Sequence, residues 1–216
     1  MPGLRERKRR KTAGAIHHAA MRLFAERGYA AVTITDIAEA AEVSRATVFA
    51  YYRSKEEIVL GDSGAAIEGL RAALEAGGPV IEVVQGWLRS LAGWIEPDVV
   101  LQRRLADEVP AVAAARSRVL RDVGAVIGDA LARELEPADP LAPRLAAAAL
   151  TSALDAVEAE AARRIEERAA PLAPEEVDEL FAAAVAFVDG GLERLRRPAR
   201  SRRAGARTSP RRLPAP

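Results

Sequence analysis

Apolar positions recur every three to four residues along most of the chain, and the pattern predicts helices throughout. Ile16, Ala19, Ala20, Leu23 and Phe24 form one face of a helix over residues 12–27, with Gly28 as its stop. Ile34, Ile37, Ala38 and Ala41 give a short helix over 34–41. Thr33 is placed as its N-cap, with Asp36 three residues on. Glu42 and Val43 make a tight turn. Ser44 caps a second short helix from Arg45 to Tyr52, whose packing face is Val48 and Tyr52. Ser54 and Glu57 open a helix expected to reach residue 76, loosened at Gly61-Asp62-Ser63-Gly64.

Further helices are predicted over 79–96, opened by Pro79 and ended by Pro97, then over 98–108, 110–136, 143–168 and 174–195. Residues 136–143 read as a loop. Ala146 to Ala149, with Ala153, Ala156 and Ala159, gives the helix over 143–168 a smooth surface suited to close helix approach. The fold class is all-α. A three-helix head precedes a six-helix body. The boundary is set near residue 60, with a basic disordered arm at 1–11 and an Arg/Pro-rich disordered tail at 197–216.

Residues 33–52 form a helix-turn-helix. The second helix leaves Arg45, Ala46, Thr47, Phe49, Ala50 and Tyr51 pointing away from its packing face. Arg and Thr can meet base edges in a major groove, and Ala can approach a thymine methyl. Local pattern alone fits a helical hairpin of any all-α core equally well. The flanking sequence separates the two readings. Residues 10–61 resemble the N-terminal domain of TetR-family transcriptional regulators. The resemblance runs through Ala19-Ala20, Leu23-Phe24, Gly28, Thr33, Thr35, Ile37-Ala38, Val43-Ser44, Thr47, Tyr51-Tyr52 and Ser54-Lys55-Glu56.

The resemblance implies a homodimer that places one recognition helix per protomer on a palindromic double-stranded operator, and a repressor released by a small-molecule effector. Arg45, Thr47 and Tyr51 are assigned to base contacts, and Thr33, Thr35, Ser44 and Lys55 to backbone positioning. The last two helices would then dimerise, through the stripe Val177, Leu180, Phe181, Ala184 and Val188. Two departures from the family pattern stand out. Glu42 occupies the turn position usual for Gly, and Phe49 stands where a Tyr hydroxyl often reaches a phosphate.

Composition narrows the alternatives. The chain has 216 residues, half of them hydrophobic, 4% aromatic and none cysteine. Disulfides and thiolate metal sites are excluded, which suits a cytoplasmic protein. No apolar run approaches the roughly 20 residues that span a bilayer, and no signal peptide is visible. The near-zero net charge conceals a division. Residues 1–60 carry 11 basic and 7 acidic side chains, residues 61–193 carry 12 and 24, and residues 194–216 carry nine arginines and no acid. Basic ends on an acidic body suit DNA binding, and a nonspecific architectural DNA binder using those ends is the alternative.

His17 and His18 are adjacent and project about 100° apart on a helix, so no metal site is expected. No cofactor motif occurs, and Gly61-Asp62-Ser63-Gly64 lacks the context of a serine nucleophile, so no enzyme is expected. Trp87 and Trp94 lie seven residues apart on one helix. Ordinary core is one reading; the wall of an effector cavity, with Arg103 and Arg104 to neutralise an anionic ligand, is the other.

Overall fold

The computed structural model describes residues 4–91, 98–135 and 141–196, and all regular elements among them are helices. None of these helices is long and apolar enough to cross a membrane.

The head starts with α1, Leu4–Arg27. It begins earlier than expected. Residues 4–11, anticipated as a disordered arm, continue the helix and keep Arg7 to Lys11 exposed. No proline or glycine interrupts this run, so the backbone ladder extends into the basic stretch. Ala13, Ile16, Ala20, Leu23 and Phe24 are buried along one face. Gly28 ends the helix at φ 80°, donating its N–H to the Phe24 carbonyl at 3.0 Å. A positive φ is what glycine supplies at no steric cost. α2, Ile34–Ala40, and α3, Arg45–Tyr51, follow with the turn between them.

The single helix expected after Ser54 is divided. α4 is Lys55–Val59 and α5 is Ser63–Glu75. Gly61 at φ 66° makes the break, and the Asp62 side chain caps α5 by accepting from the Ala65 N–H at 3.2 Å. The Gly-Asp-Ser-Gly stretch is therefore a helix break and a cap. Gly77 and Gly78, both at positive φ, then turn the chain into α6, Val80–Leu91.

The body continues with α7 (Val99–Glu108), α8 (Pro110–Glu134), α9 (Leu141–Arg168) and α10 (Pro174–Arg196). The alanine-rich face of α9 allows close approach, as expected. α8 reciprocates with glycine, and a Cβ on Gly124 would come within 3.3 Å of Thr151 Cγ2. Ala169 ends α9 at φ 49°, a left-handed position taken without glycine.

The apolar side chains form two cores. One fills the body between α5, α6 and α8–α10. The other fills the head, and the body completes it: Leu105 of α7 and Val112 of α8 are buried among Ile16, Val48, Tyr52, Ile58 and Val59. The α7–α8 corner thus plugs the base of the head, and α4 packs as part of it.

The stripe assigned to dimerisation packs within the protomer. Val177, Phe181, Ala184 and Val188 are buried in the chain's own body core, with Leu180 partly buried against it. The opposite face of α10 is the free one, and Phe187 on it is 76% exposed. On α9, Leu141 and Leu145 are likewise exposed large apolar residues.

Candidate nucleic-acid interface

Local capping sets the geometry of the head. Thr33 and Asp36 form a reciprocal capping box on α2. The Asp36 N–H donates to Thr33 Oγ1 at 3.2 Å, and the Thr33 N–H donates to Asp36 Oδ2 at 2.7 Å. These bonds from Thr33, with Arg27 nearby, hold the Asp36 carboxyl below its ordinary range. Ser44 caps α3, accepting from the Thr47 N–H at 3.0 Å, and its Oγ lies 2.8 Å from Thr47 Oγ1. Between the two helices Glu42 sits at φ 53°, so the left-handed turn is kept without glycine.

Packing then orients α3. Val48 is fully buried, and the C-cap Tyr52 is 3% exposed, its hydroxyl donating to the Ala13 carbonyl at 3.1 Å. Burial raises the Tyr52 hydroxyl above its usual range, so it stays a donor. Anchored this way, α3 presents Arg45, Ala46, Phe49 and Ala50 to solvent, with Thr47 half-buried beside them. Phe49 is 50% exposed. Its neighbours on the exposed face are Arg45, Ala46 and Ala50. Tyr51 is half-buried, packs against the head core and lines a cleft with Arg9, Arg10 and Arg53. Thr33, Thr35 and Ser44 are exposed at the entries of α2 and α3.

Lys55 is placed differently from the phosphate-contact role. Its ammonium donates to the carbonyls of Tyr29 and Val32, each at 2.9 Å, and lies 4.2 Å from the Tyr29 ring centroid. It ties the 29–32 loop to the start of α4. The Tyr29 hydroxyl completes the clasp by donating to Glu56 at 2.6 Å. Sequence reasoning missed this role because both acceptors are backbone carbonyls more than 20 residues away.

Behind the head lies a cavity of about 190 Å³. Ile67, Trp87, Leu88, Val123, Leu154 and Phe181 give it apolar walls, and His17, Gln102 and Glu158 are its polar groups. Leu60, Gly61 and Ser63 of the α4–α5 break also line it. Trp87 lines it and donates its indole N–H to the Ala66 carbonyl at 2.9 Å. Trp94 falls outside the described residues. Arg103 and Arg104 are not among the cavity's lining residues. Arg103 pairs with Asp155 at 3.1 Å, and Arg104 with Glu166 at 3.6 Å. Arg116 joins Asp155 at 2.8 Å and also binds Glu158. Burial raises the Glu158 carboxyl and Arg116 opposes it, leaving a net upward shift.

A third constellation lies on the seam between head and body. The two histidines of α1 converge on Asp98, at the N-cap of α7. Burial alone would raise the Asp98 carboxyl, but hydrogen bonds and charge from His17 and then His18 outweigh it and lower it.

A packed three-helix unit exposing one helix beyond a tight turn defines a helix-turn-helix DNA-binding domain. Residues 16–61 match the family of bacterial regulatory proteins described as the tetR family. The HTH-type transcriptional regulator TcmR of Streptomyces glaucescens is 40% identical over 95 residues, 43% of this chain and 42% of the relative. MftR of Mycobacterium tuberculosis is 39% identical over 69 residues, 32% of this chain and 35% of the relative. The chain thus spans less than half the length of these curated relatives. A solved structure of the fatty acid degradation regulator FadR from Bacillus halodurans shares the fold. Its TM-score is 0.56 at 20% identity, over 82% of this chain and 98% of that one.

Proposed function

We propose that the protein is a cytoplasmic transcriptional repressor, a homodimer that binds a palindromic operator and releases it on binding a small molecule. The carrying observation is the α3 face, with Arg45, Ala46 and Ala50 exposed around Phe49 on a helix anchored by Val48 and Tyr52. Arg45 and Thr47 read base edges, while Phe49 makes apolar contact. Two-fold symmetry of the dimer requires two half-sites about one helical turn apart.

The body cavity supports the release step. An effector among Trp87, Leu154 and Phe181 also touches Leu60, Gly61 and Ser63, the hinge between α4 and α5. It moves the heads only by as much as it prefers one hinge arrangement over the other. The apolar walls suit a small, largely apolar ligand with one polar end. The dimer forms through the outward faces of α9 and α10, where Leu141, Leu145 and Phe187 are exposed.

Selection of bound duplexes from a random pool tests this reading. A palindromic consensus is the expected result. Binding without sequence enrichment, and with a steep salt dependence, would instead identify a nonspecific architectural protein.

A further inference from the structure

His17, His18 and Asp98 join the head to the body in a way that DNA reading does not use, and His17 also lines the cavity. His17 is buried to 13% side-chain exposure, and both of its ring nitrogens face acceptors. Nδ1 is 2.7 Å from the Ile58 carbonyl oxygen, and Nε2 is 3.2 Å from Asp98 Oδ2. A carbonyl can only accept, so Nδ1 carries the hydrogen and donates it. In the neutral ring Nε2 then holds a lone pair aimed at a carboxylate. Two acceptors in contact repel unless a positive species stands between them.

A proton on Nε2 would settle His17 alone. Two further observations ask for more. His18 Nδ1 also reaches Asp98 Oδ2, at 3.6 Å, so both rings converge on one oxygen. Asp98 occupies the N-cap position of α7, yet its carboxylate makes no capping bond to its own helix. An Asp at that position ordinarily accepts from the first-turn amides. Here it is turned toward the two imidazoles.

From this geometry we infer that His17, His18 and Asp98 form a binding site for a divalent cation of the zinc class. One ligand atom from each of the three residues lies within 4.8 Å of the others. A tetrahedral cation with bonds of about 2.0–2.1 Å holds neighbouring ligands about 3.4 Å apart. The two distances to Asp98 Oδ2 bracket that value. The nitrogen–oxygen donor set favours zinc over magnesium or calcium, which take oxygen ligands. The Ile58 carbonyl is the outer partner that fixes the His17 tautomer, as metal-bound imidazoles require. His18 is 67% exposed, which leaves the fourth position open to water. The bound cation would staple α1 of the head to α7 of the body.

Titration of the full chain with Zn²⁺ by calorimetry, after treatment with a chelator, tests the assignment without DNA or effector. One Zn²⁺ per chain should bind saturably and raise the thermal midpoint. His18→Ala removes an exposed ring, so the variant should fold normally yet bind Zn²⁺ at least about tenfold more weakly. Asp98→Asn should weaken binding in the same way. Absence of saturable binding would overturn the site, as would an affinity that neither substitution changes. A thermal midpoint indifferent to Zn²⁺ would likewise overturn the site.

Discussion

Arg45 and Lys55 are both basic and both on the head, yet their surroundings assign them different work. Arg45 is exposed on α3 with its guanidinium free to enter a groove. Arg45→Ala should cost about 1–3 kcal/mol on the operator and relax preference at one base position per half-site. Binding to selected and random duplexes, measured side by side, reads this directly. An equal loss on both would place Arg45 on phosphates. Lys55 spends two of its three hydrogens on the Tyr29 and Val32 carbonyls. Lys55→Ala should therefore lower head stability by about 1–2 kcal/mol, because the two acceptors lose a charged donor. Thermal or urea unfolding shows it, whatever happens to DNA affinity.

Glu42 carries a cost visible at the same scale. Its φ of 53° presses a Cβ into the following carbonyl. Glu42→Gly should stabilise the head by about 1 kcal/mol, since glycine takes this conformation without strain. A fall in thermal midpoint would mean that the Glu42 side chain contributes more than its backbone loses.

At the scale of elements, the caps decide where the head helices begin. The α2 box depends on an ionised Asp36, whose carboxyl is lowered by its bonds from Thr33. A group depressed in the folded state stabilises above its unfolded value, near 3.9, and loses that contribution as pH falls through the folded value. The Thr33 amide and the Asp36 carboxyl should therefore titrate together, below pH 4, in an NMR pH series. Asp36→Asn should remove that shared titration while leaving α3 intact. Independent titration of the two signals would show that the box does not persist in solution.

These caps were legible in the sequence, because Thr33, Asp36 and Ser44 act within three residues of themselves. The same holds for the turn at Glu42 and the stop at Gly28. The division of α4 from α5 was only half legible. Gly61 signalled weakness, but Asp62 capping a new helix depends on how α5 packs. The arm was misjudged for the converse reason. Charge density suggested disorder, while a continuous helical backbone from α1 carries those residues into the solvent.

For the whole molecule, α10 separates two phenylalanines with opposite consequences. Phe181 is buried and lines the cavity, so a charge there disrupts the body. Phe187 is 76% exposed, so Phe187→Glu should leave protomer stability within about 0.5 kcal/mol. It should nonetheless dissociate the dimer and abolish operator binding. Sedimentation and an operator titration measure both. A stable Phe187→Glu dimer would move the interface off this face of α10.

Periodicity alone determined that this chain is all-α and which stripes of its described helices are buried, while the resemblance of the flanking residues singled out the helix after Ser44 as the candidate reader of DNA. Those properties follow from side-chain spacing along one chain, which the sequence contains in full. Only the tertiary structure decided what each buried stripe meets. A stripe at helical spacing reports a covered face without naming the cover, so Val177 to Val188 fitted a partner subunit as well as the chain's own core. The same reason hid the α7–α8 corner that completes the head, the carbonyls that hold Lys55 and the meeting of His17 and His18 with Asp98 some 80 residues away. Each depends on where distant segments come to rest, and short-range spacing carries no record of that.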